Sequence, residues 1–354
     1  MRVRKPVVKI NYNGKAVTEE LTQYLTSVTY TDKVIGESDE ISITLENSDG
    51  LWGSEWYPSK GDKIKLQMGY DDNIVDCGDF MVDEIEMQGP PDTVTLKGIA
   101  TWVTSAMRTK ASKAHEGKTL KEIVQAVAQK HGLSVQGTIY TIRIARCTQH
   151  QESDVAFLKR LADEYGFTFG VRGNTLTFDS IYKLEDRTPV MSIERGQLIS
   201  YSLRDKTVGT YKKAKVRYQD PKSAKVVEAD VDKVGEDAYD DVSGADELVI
   251  HSKSENNGQA EAKAKAALHK ANSKQQSGSL TLEGEPLLVG GNKFTLNDMG
   301  HLSGDWYIMS STHTFDKSGG YTTSLEINRV KKGESNTKKI SKKKTFVEPE
   351  IGPM

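Results

Sequence analysis

Along the first hundred residues apolar and polar side chains alternate in short runs: VVKINY (7–12), ISITLEN (41–47), KIKLQMGY (63–70), FMVDEIEMQ (80–88) and TVTLKGIA (93–100). The segments NG, NSDG, YDDN and GPPD separate them. A period of two bounded by Gly, Pro, Asn and Asp predicts antiparallel strands joined by turns. A barrel or a sandwich is the simplest closure, because either withdraws strand edges from solvent.

The period changes near residue 110. In KTLKEIVQAVAQKHG (118–132), Thr119 and Glu122 have capping-box spacing, Leu120, Ile123, Val124 and Val127 share one helical face, and Gly132 can end the helix. A second helix is predicted in QESDVAFLKRLADEYGF (151–167), with Val155, Leu158, Leu161, Ala162 and Tyr165 at three- and four-residue spacing. There Ser153 can cap the start and Gly166 the end. FTFGVR and TLTFDS flank Gly173-Asn174 as a hairpin, so residues 110–185 read as a small α+β insert. Strands return in LISYSLRDK (198–206) and YKKAKVRYQD (211–220). An acidic, glycine-containing run at 228–247 reads as a loop, and NGQAEAKAKAALHKANSK (257–274) as an alanine-rich helix whose thin apolar face allows close approach to a neighbour.

The pattern also repeats. GDKIKLQMG (61–69) is answered by GNKFTLNDMG (291–300), GDFMVDEI (78–85) by GDWYIMSS (304–311), and TVTLKG (93–98) by TTSLEI (322–327). Order and spacing persist at offsets of 230, 226 and 229 residues, which favours duplication. The expected architecture is mainly β with an α+β insert: two similar antiparallel β-barrel domains produced by internal duplication. The expected divisions are 1–108 for the first barrel, 109–190 for the insert, 191–330 for the second barrel with its acidic loop and Ala-rich helix, and 331–354 for a flexible Lys-rich tail.

At 354 residues the chain has room for two or three cores, and 36% apolar with 28% charged residues suits a polar but globular protein. A net charge of −2 argues against a global nucleic-acid footprint. With only Cys77 and Cys147 there is no disulfide framework, and a reducing cytosol is the expected place of folding. The N-terminus lacks the apolar run of a signal peptide and no segment reaches the length of a membrane span, so a protein made in soluble form is expected.

Chemistry is sparse. Glu152, Asp154, Asp163 and Glu164 on the second helix offer carboxylates for acid–base work, but acids in a first turn also favour the helix dipole and Asp163 has bases beside it. The seven histidines show no metal-ligand spacing, and His313 reads as a core or interface residue. No nucleophile elbow, phosphate loop or dinucleotide fingerprint appears. Trp52 and Trp56 suit a sugar platform or a loop packed over a barrel end. No cofactor or metal is called for.

Two stretches carry a family resemblance. One is E-S-D-x-x-F-L-x-R-L-x-x-E-x-G, borne by Glu152, Ser153, Asp154, Phe157, Leu158, Arg160, Leu161, Glu164 and Gly166. The other is G-x-W…H…G-x-Y-T-T, borne by Gly304, Trp306, His313, Gly319, Tyr321, Thr322 and Thr323. Through these the chain, up to about residue 330, resembles the phage late control D family, hub proteins of contractile-tail baseplates related in fold to the T4 hub and to the N-terminal part of type VI secretion spike proteins. The resemblance implies a structural protein of the virion baseplate, not an enzyme, made in the bacterial cytoplasm. It implies a homotrimeric ring of six quasi-equivalent barrels that adapts a sixfold tail tube to a threefold central spike, with the tube protein, the spike protein and other baseplate proteins as partners and neither membrane nor specific nucleic acid. The motif residues are then structural or interface candidates. Unlike the secretion spikes, the sequence shows no β-helical continuation after residue 330, so a separate spike protein is expected. The alternatives are a tail-associated peptidoglycan hydrolase using the helix carboxylates and a cell-wall carbohydrate-binding module using Trp52 and Trp56.

Overall fold

Alternating burial along the strands organises the protein around one large antiparallel sheet. The structure, a computed structural model, describes residues 4–34, 38–70, 73–100, 105–206, 209, 211, 213–219, 226–232, 247–251 and 254–329. The tail from 331 and most of the acidic run at 228–247 lie outside the described residues.

The first set of strands comprises β1 (Pro6–Tyr12), the two-residue β2 (Lys15–Ala16), β3 (Leu25–Lys33), β4 (Glu40–Glu46), β5 (Lys63–Tyr70), β6 (Asn73–Gln88) and β7 (Thr93–Ala100), with the short α1 (Thr18–Thr22) between β2 and β3. After α2 (Ser105–Arg108) comes the insert. It contains β8 (Lys110–Thr119), α3 (Leu120–Lys130), β9 (Ser134–Gln136), β10 (Arg143–Ser153), α4 (Asp154–Tyr165), β11 (Phe167–Arg172), β12 (Thr175–Ser180) and α5 (Ile181–Glu185). The second set is β13 (Ser192–Glu194), β14 (Leu198–Asp205), β18 (Gln276–Glu283), β19 (Lys293–Asn297), β20 (Gly304–Asp316) and β21 (Gly320–Arg329). Between β14 and β18 a separate sheet of β15 (Lys213–Gln219), β16 (Val226–Asp232) and β17 (Glu247–His251) carries α6 (Asn257–Asn272).

The two sets share a strand order. The first runs β3-β4-β7-β6-β5-β1 and the second β14-β18-β21-β20-β19-β13. Registers agree as well: Ile43↔Leu96 answers Leu280↔Leu325, and Ile64↔Phe80 answers Phe294↔Trp306. Bulges recur at equivalent places, Val82/Glu84 in β6 and Ile308/Ser310 in β20, Leu25/Ser27 in β3 and Leu198/Ser200 in β14. Gly61 and Gly291 sit at φ +93° and +86°, Gly78 and Gly304 at +109° and +130°, so each set turns at glycines where an L side chain would be strained. All of this is consistent with the repeat read from the sequence. One pairing differs: β1 runs antiparallel to β5, whereas β13 runs parallel to β19.

The sets are not separate sheets. Past its bulge β20 leaves β19 and pairs with β3 from Ser310↔Lys33 to Asp316↔Ser27, so one thirteen-stranded sheet passes from one set into the other. Strand β3, which makes this seam, is absent from the runs singled out by alternation; Thr26, Ser27, Thr29, Thr31 and Asp32 around Val28 and Tyr30 dilute its signal.

The first set and the insert share a core that includes Val28, Ile43, Leu66, Phe80, Leu96, Phe157, Leu161 and Phe178. A second core gathers Leu280, Phe294, Trp306, Ile308 and Leu325, and a small third joins Ala260, Ala264 and Leu268 of α6 to Ala214 and Val216 of β15. The Ala-rich face of α6 also lies against the insert: a Cβ on Gly166 would stand 3.2 Å from that of Ala266.

Phe80 and Trp306 hold equivalent places in the first two cores and are 1% and 0% exposed. Phe80→Ala and Trp306→Ala should each cost about 3–5 kcal/mol in urea unfolding, while Tyr57→Ala, at an exposed ring, should stay within about 0.5 kcal/mol.

Candidate functional site

Two clusters collect the residues singled out in the sequence. The first lies at the seam. Trp306 is fully buried and its indole N–H donates to the Leu302 carbonyl at 3.1 Å, while the Arg329 guanidinium sits over the ring at 5.3 Å. Gly304 admits that arginine: a Cβ there would lie 2.7 Å from Arg329 Nη2. Further along β20, His313 is buried opposite Tyr30 of β3, with the rings stacked at 6.0 Å. Its Nδ1 lies 2.9 Å from the Tyr321 hydroxyl and 3.1 Å from Thr323 Oγ1, and its Nε2 lies 3.3 Å from Ser311 Oγ. Thr322 pairs with Thr314 across β20–β21. Asp32, buried beside this cluster, accepts the backbone N–H of Gly290 at 3.1 Å and so joins the first set to the second. Burial pushes the His313 imidazole down from 6.5 to about 4, so it stays neutral near neutral pH.

The second cluster is the α4 motif. Ser153 caps the helix, its hydroxyl accepting the Ala156 N–H at 3.2 Å, and Gly166 ends it in the left-handed conformation at φ +75°. Phe157 and Leu161 are buried, Phe157 lying flat against His115 at 5.4 Å. Asp154, in the first turn, points inward: Lys130 Nζ donates to it at 2.7 Å, His131 Nε2 at 2.6 Å and Gln149 Nε2 at 2.9 Å. Burial alone would raise this carboxyl, but the hydrogen bonds from Lys130, His131 and Gln149 outweigh it and hold Asp154 below the usual carboxylate range. Arg160 is clamped by Glu152 at 2.6 Å and Glu164 at 3.1 Å and donates to the Thr148 carbonyl at 3.2 Å. Glu164 in turn meets Lys263 of α6 at 3.0 Å, and Asp163 meets Lys270 at 3.2 Å. Every helix carboxylate therefore has a structural partner. The helix ties strand β10, α3 and α6 together.

The sequence pointed to both clusters and held both members of the His313–Tyr321, His313–Thr323, Arg160–Glu152 and Arg160–Glu164 pairs. It missed Tyr30, Asp32, Ser311, Lys130, His131 and Gln149, which come from elements remote in sequence or carry no motif of their own. Trp52 is a core residue, 7% exposed, with its ring edge-on to Tyr24 at 6.0 Å and to Trp56 at 5.5 Å; the tryptophans do not form a flat paired platform. A cleft of about 300 Å³ between α4, α6 and β20 is bordered by Asp163, Glu185, His269 and Lys270, and there His269 Nε2 lies 2.7 Å from Glu185. Among the described residues no group of three or more His, Cys, Asp or Glu could hold a metal ion, and no helix is long and apolar enough to cross a membrane.

Residues 81–319, more than half of the chain, match the family described as phage tail baseplate hub (GPD). The chain belongs to the phage tail baseplate hub family. The matched span holds the whole α4 motif together with Gly304, Trp306 and His313; Tyr321 and Thr322 fall just past it. A probable baseplate hub protein of Escherichia phage 186 is 31% identical over 176 residues, which are 49% of this hub-family chain and 44% of the relative. The matched segment thus spans less than half the length of that curated relative. Among solved structures, a tail protein from Neisseria meningitidis MC58 superposes with a TM-score of 0.69 at 11% identity, covering 92% of this chain and 97% of the other. An E. coli protein described as a component of the type VI secretion system with structural similarity to the T4 tail proteins gp27 and gp5 gives 0.57 at 11% identity, covering 92% and 77%. At such identities the likeness is one of fold.

Two outcomes test the clusters. Asp154→Ala leaves the donors of Lys130, His131 and Gln149 without their acceptor and should lower stability by about 2–3 kcal/mol in urea unfolding. As pH falls from about 6.5 to about 4 the unfolded chain takes up a proton that folded His313 refuses, so stability drops through that window. His313→Gln cannot titrate, and its pH–stability curve should be flatter there by about one proton at most.

Proposed function

We propose that the chain is a structural hub of a phage tail baseplate or related contractile injection particle, working as a ring of three copies. Each copy contributes two quasi-equivalent β units, so six units face a sixfold tail tube while the trimer as a whole meets a threefold spike. The observation that carries this reading is the shared strand order, register and bulge placement of the two sets, joined edge to edge in one sheet. A chain that must satisfy sixfold and threefold neighbours at once needs such a doubled unit. Membership of the hub family supports the same reading.

The tail tube protein, the central spike protein and other baseplate proteins are the proposed partners. The chain would be made in the bacterial cytoplasm and end in the virion baseplate. The divisions 1–108, 109–190, 191–330 and 331–354 are kept as its proposed domains. A catalytic role is not proposed, since the α4 carboxylates that would serve a hydrolase are committed to Lys130, His131, Arg160, Lys263 and Lys270.

Light scattering across a concentration series tests the ring. A species of three times the 39.2 kDa chain mass is expected; a monomer at every concentration, with and without the spike protein, would remove the ring.

A further inference from the structure

Within the chain the seam has a donor edge and an acceptor edge. The half of β20 beyond its bulge offers a free edge, and β3 fills it. The same parts exist once more, unused. In β6 the half beyond the equivalent bulge, Glu84–Gln88, pairs with β7 on one side, and its other edge has no partner among the described residues, since β5 ends its pairing at Met81. At the far end of the sheet β14, the counterpart of β3, pairs only with β18 among the described residues.

Burial marks the same gap. Val28, Tyr30 and Asp32 of β3 are 0%, 2% and 3% exposed, whereas their counterparts in β14 are Tyr201, 45% exposed, Leu203, half-buried, and Asp205, exposed. Met87, counterpart of the buried His313, is 50% exposed. The second set thus lacks on β14 the cover that the first set has on β3.

We infer that the open edge of β6 in one copy pairs antiparallel with β14 of a second copy, repeating between chains the β20–β3 seam found within one. The inference rests on the trimeric-ring reading and supplies its interface. Carrying the internal register across, Ser310↔Lys33 becomes Glu84↔Lys206, Thr312↔Thr31 becomes Glu86↔Arg204, and His313↔Tyr30 becomes Met87↔Leu203. Acid meets base twice on one face, a complementarity that was no part of the transfer, while on the other Met87 meets Leu203 and Asp205 falls opposite Ile85. One step further Tyr201 falls opposite Gly89, a large side chain over none. Asp205 takes the place of Asp32, whose carboxylate accepts the Gly290 N–H; the residue at the position of Gly290 in the first set is Lys60. In the free chain Glu84 and Glu86 share Lys97 at 3.1 and 2.8 Å, while Arg204 and Lys206 are exposed and without an ion pair among the described residues. The contact joins different surfaces of the two chains, so it repeats head to tail and closes when the rotation does.

The test combines mass with cross-linking. Met87→Cys/Leu203→Cys places facing thiols on neighbouring copies, and the native Cys77 and Cys147 are buried. Mild oxidation should give a covalent three-chain band, and Met87→Cys/Ser200→Cys, three residues out of register, should give at least about tenfold less. Glu86→Arg or Arg204→Glu alone should raise the concentration at half-assembly by about tenfold or more, and the double reversal should restore it. A trimer by light scattering that neither cross-links at 87–203 nor responds to the reversals overturns the edge pairing and leaves the ring standing. A monomer under all conditions overturns both.

Discussion

The hydrogen-bonded seam between β20 and β3 is the constraint on which the rest of the structure depends. A strand of thirteen residues is longer than one neighbour can use, and its bulge lets it serve two: β19 before Ile308 and β3 after Ser310. Because the seam is made of backbone bonds, the relative rotation of the two sets follows from strand twist and register instead of from side-chain packing alone. The buried polar residues then have a clear role. His313, Tyr321, Thr323 and Ser311 bond to one another, and Asp32 reaches the Gly290 amide. A slip by one residue at the seam would part Asp32 from the Gly290 amide and turn Tyr30 and Val28 to the other face, away from His313, whose own bonds lie within β20 and β21.

The insert is fixed by a second kind of constraint. Asp154 receives three donors from β10 and α3, and Arg160 is held by carboxylates before and within its own helix. A carboxylate so surrounded is worth keeping only while all its partners are in place, which makes α4 a clasp between elements and explains why its acids do not gather in one open site. Through Lys263 and Lys270 the clasp extends to α6, and Gly166 and Ala266 let the two helices lie close.

Much of this was legible in the residues. Alternation gave β1, β4, β5, β6 and β7, spacing and caps gave α3 and α4, and three in-register matches revealed the repeat that the strand order accords with. What escaped was non-local. Strand β3 has two apolar residues between hydroxyls, and its meaning lies in β20, some 280 residues away. Strand β10, reading RIARCTQHQES, packs mainly polar side chains and shows no clean period. Asp154 looked like a dipole-favouring acid of a first turn; only the fold brings Lys130, His131 and Gln149 to it. Trp52 and Trp56 looked like a pair, but edge-on packing buries one of them.

In the proposed ring the two matched β sets of three chains form six near-equal positions around one axis. Electron-microscopic averages of the purified assembly, viewed along that axis, test it most directly through their rotational symmetry. A ring whose inner wall shows a dominant sixfold harmonic is expected, with a threefold one contributed by the inserts, of which each chain has one. A ring with threefold density throughout, or particles without a ring, would contradict it.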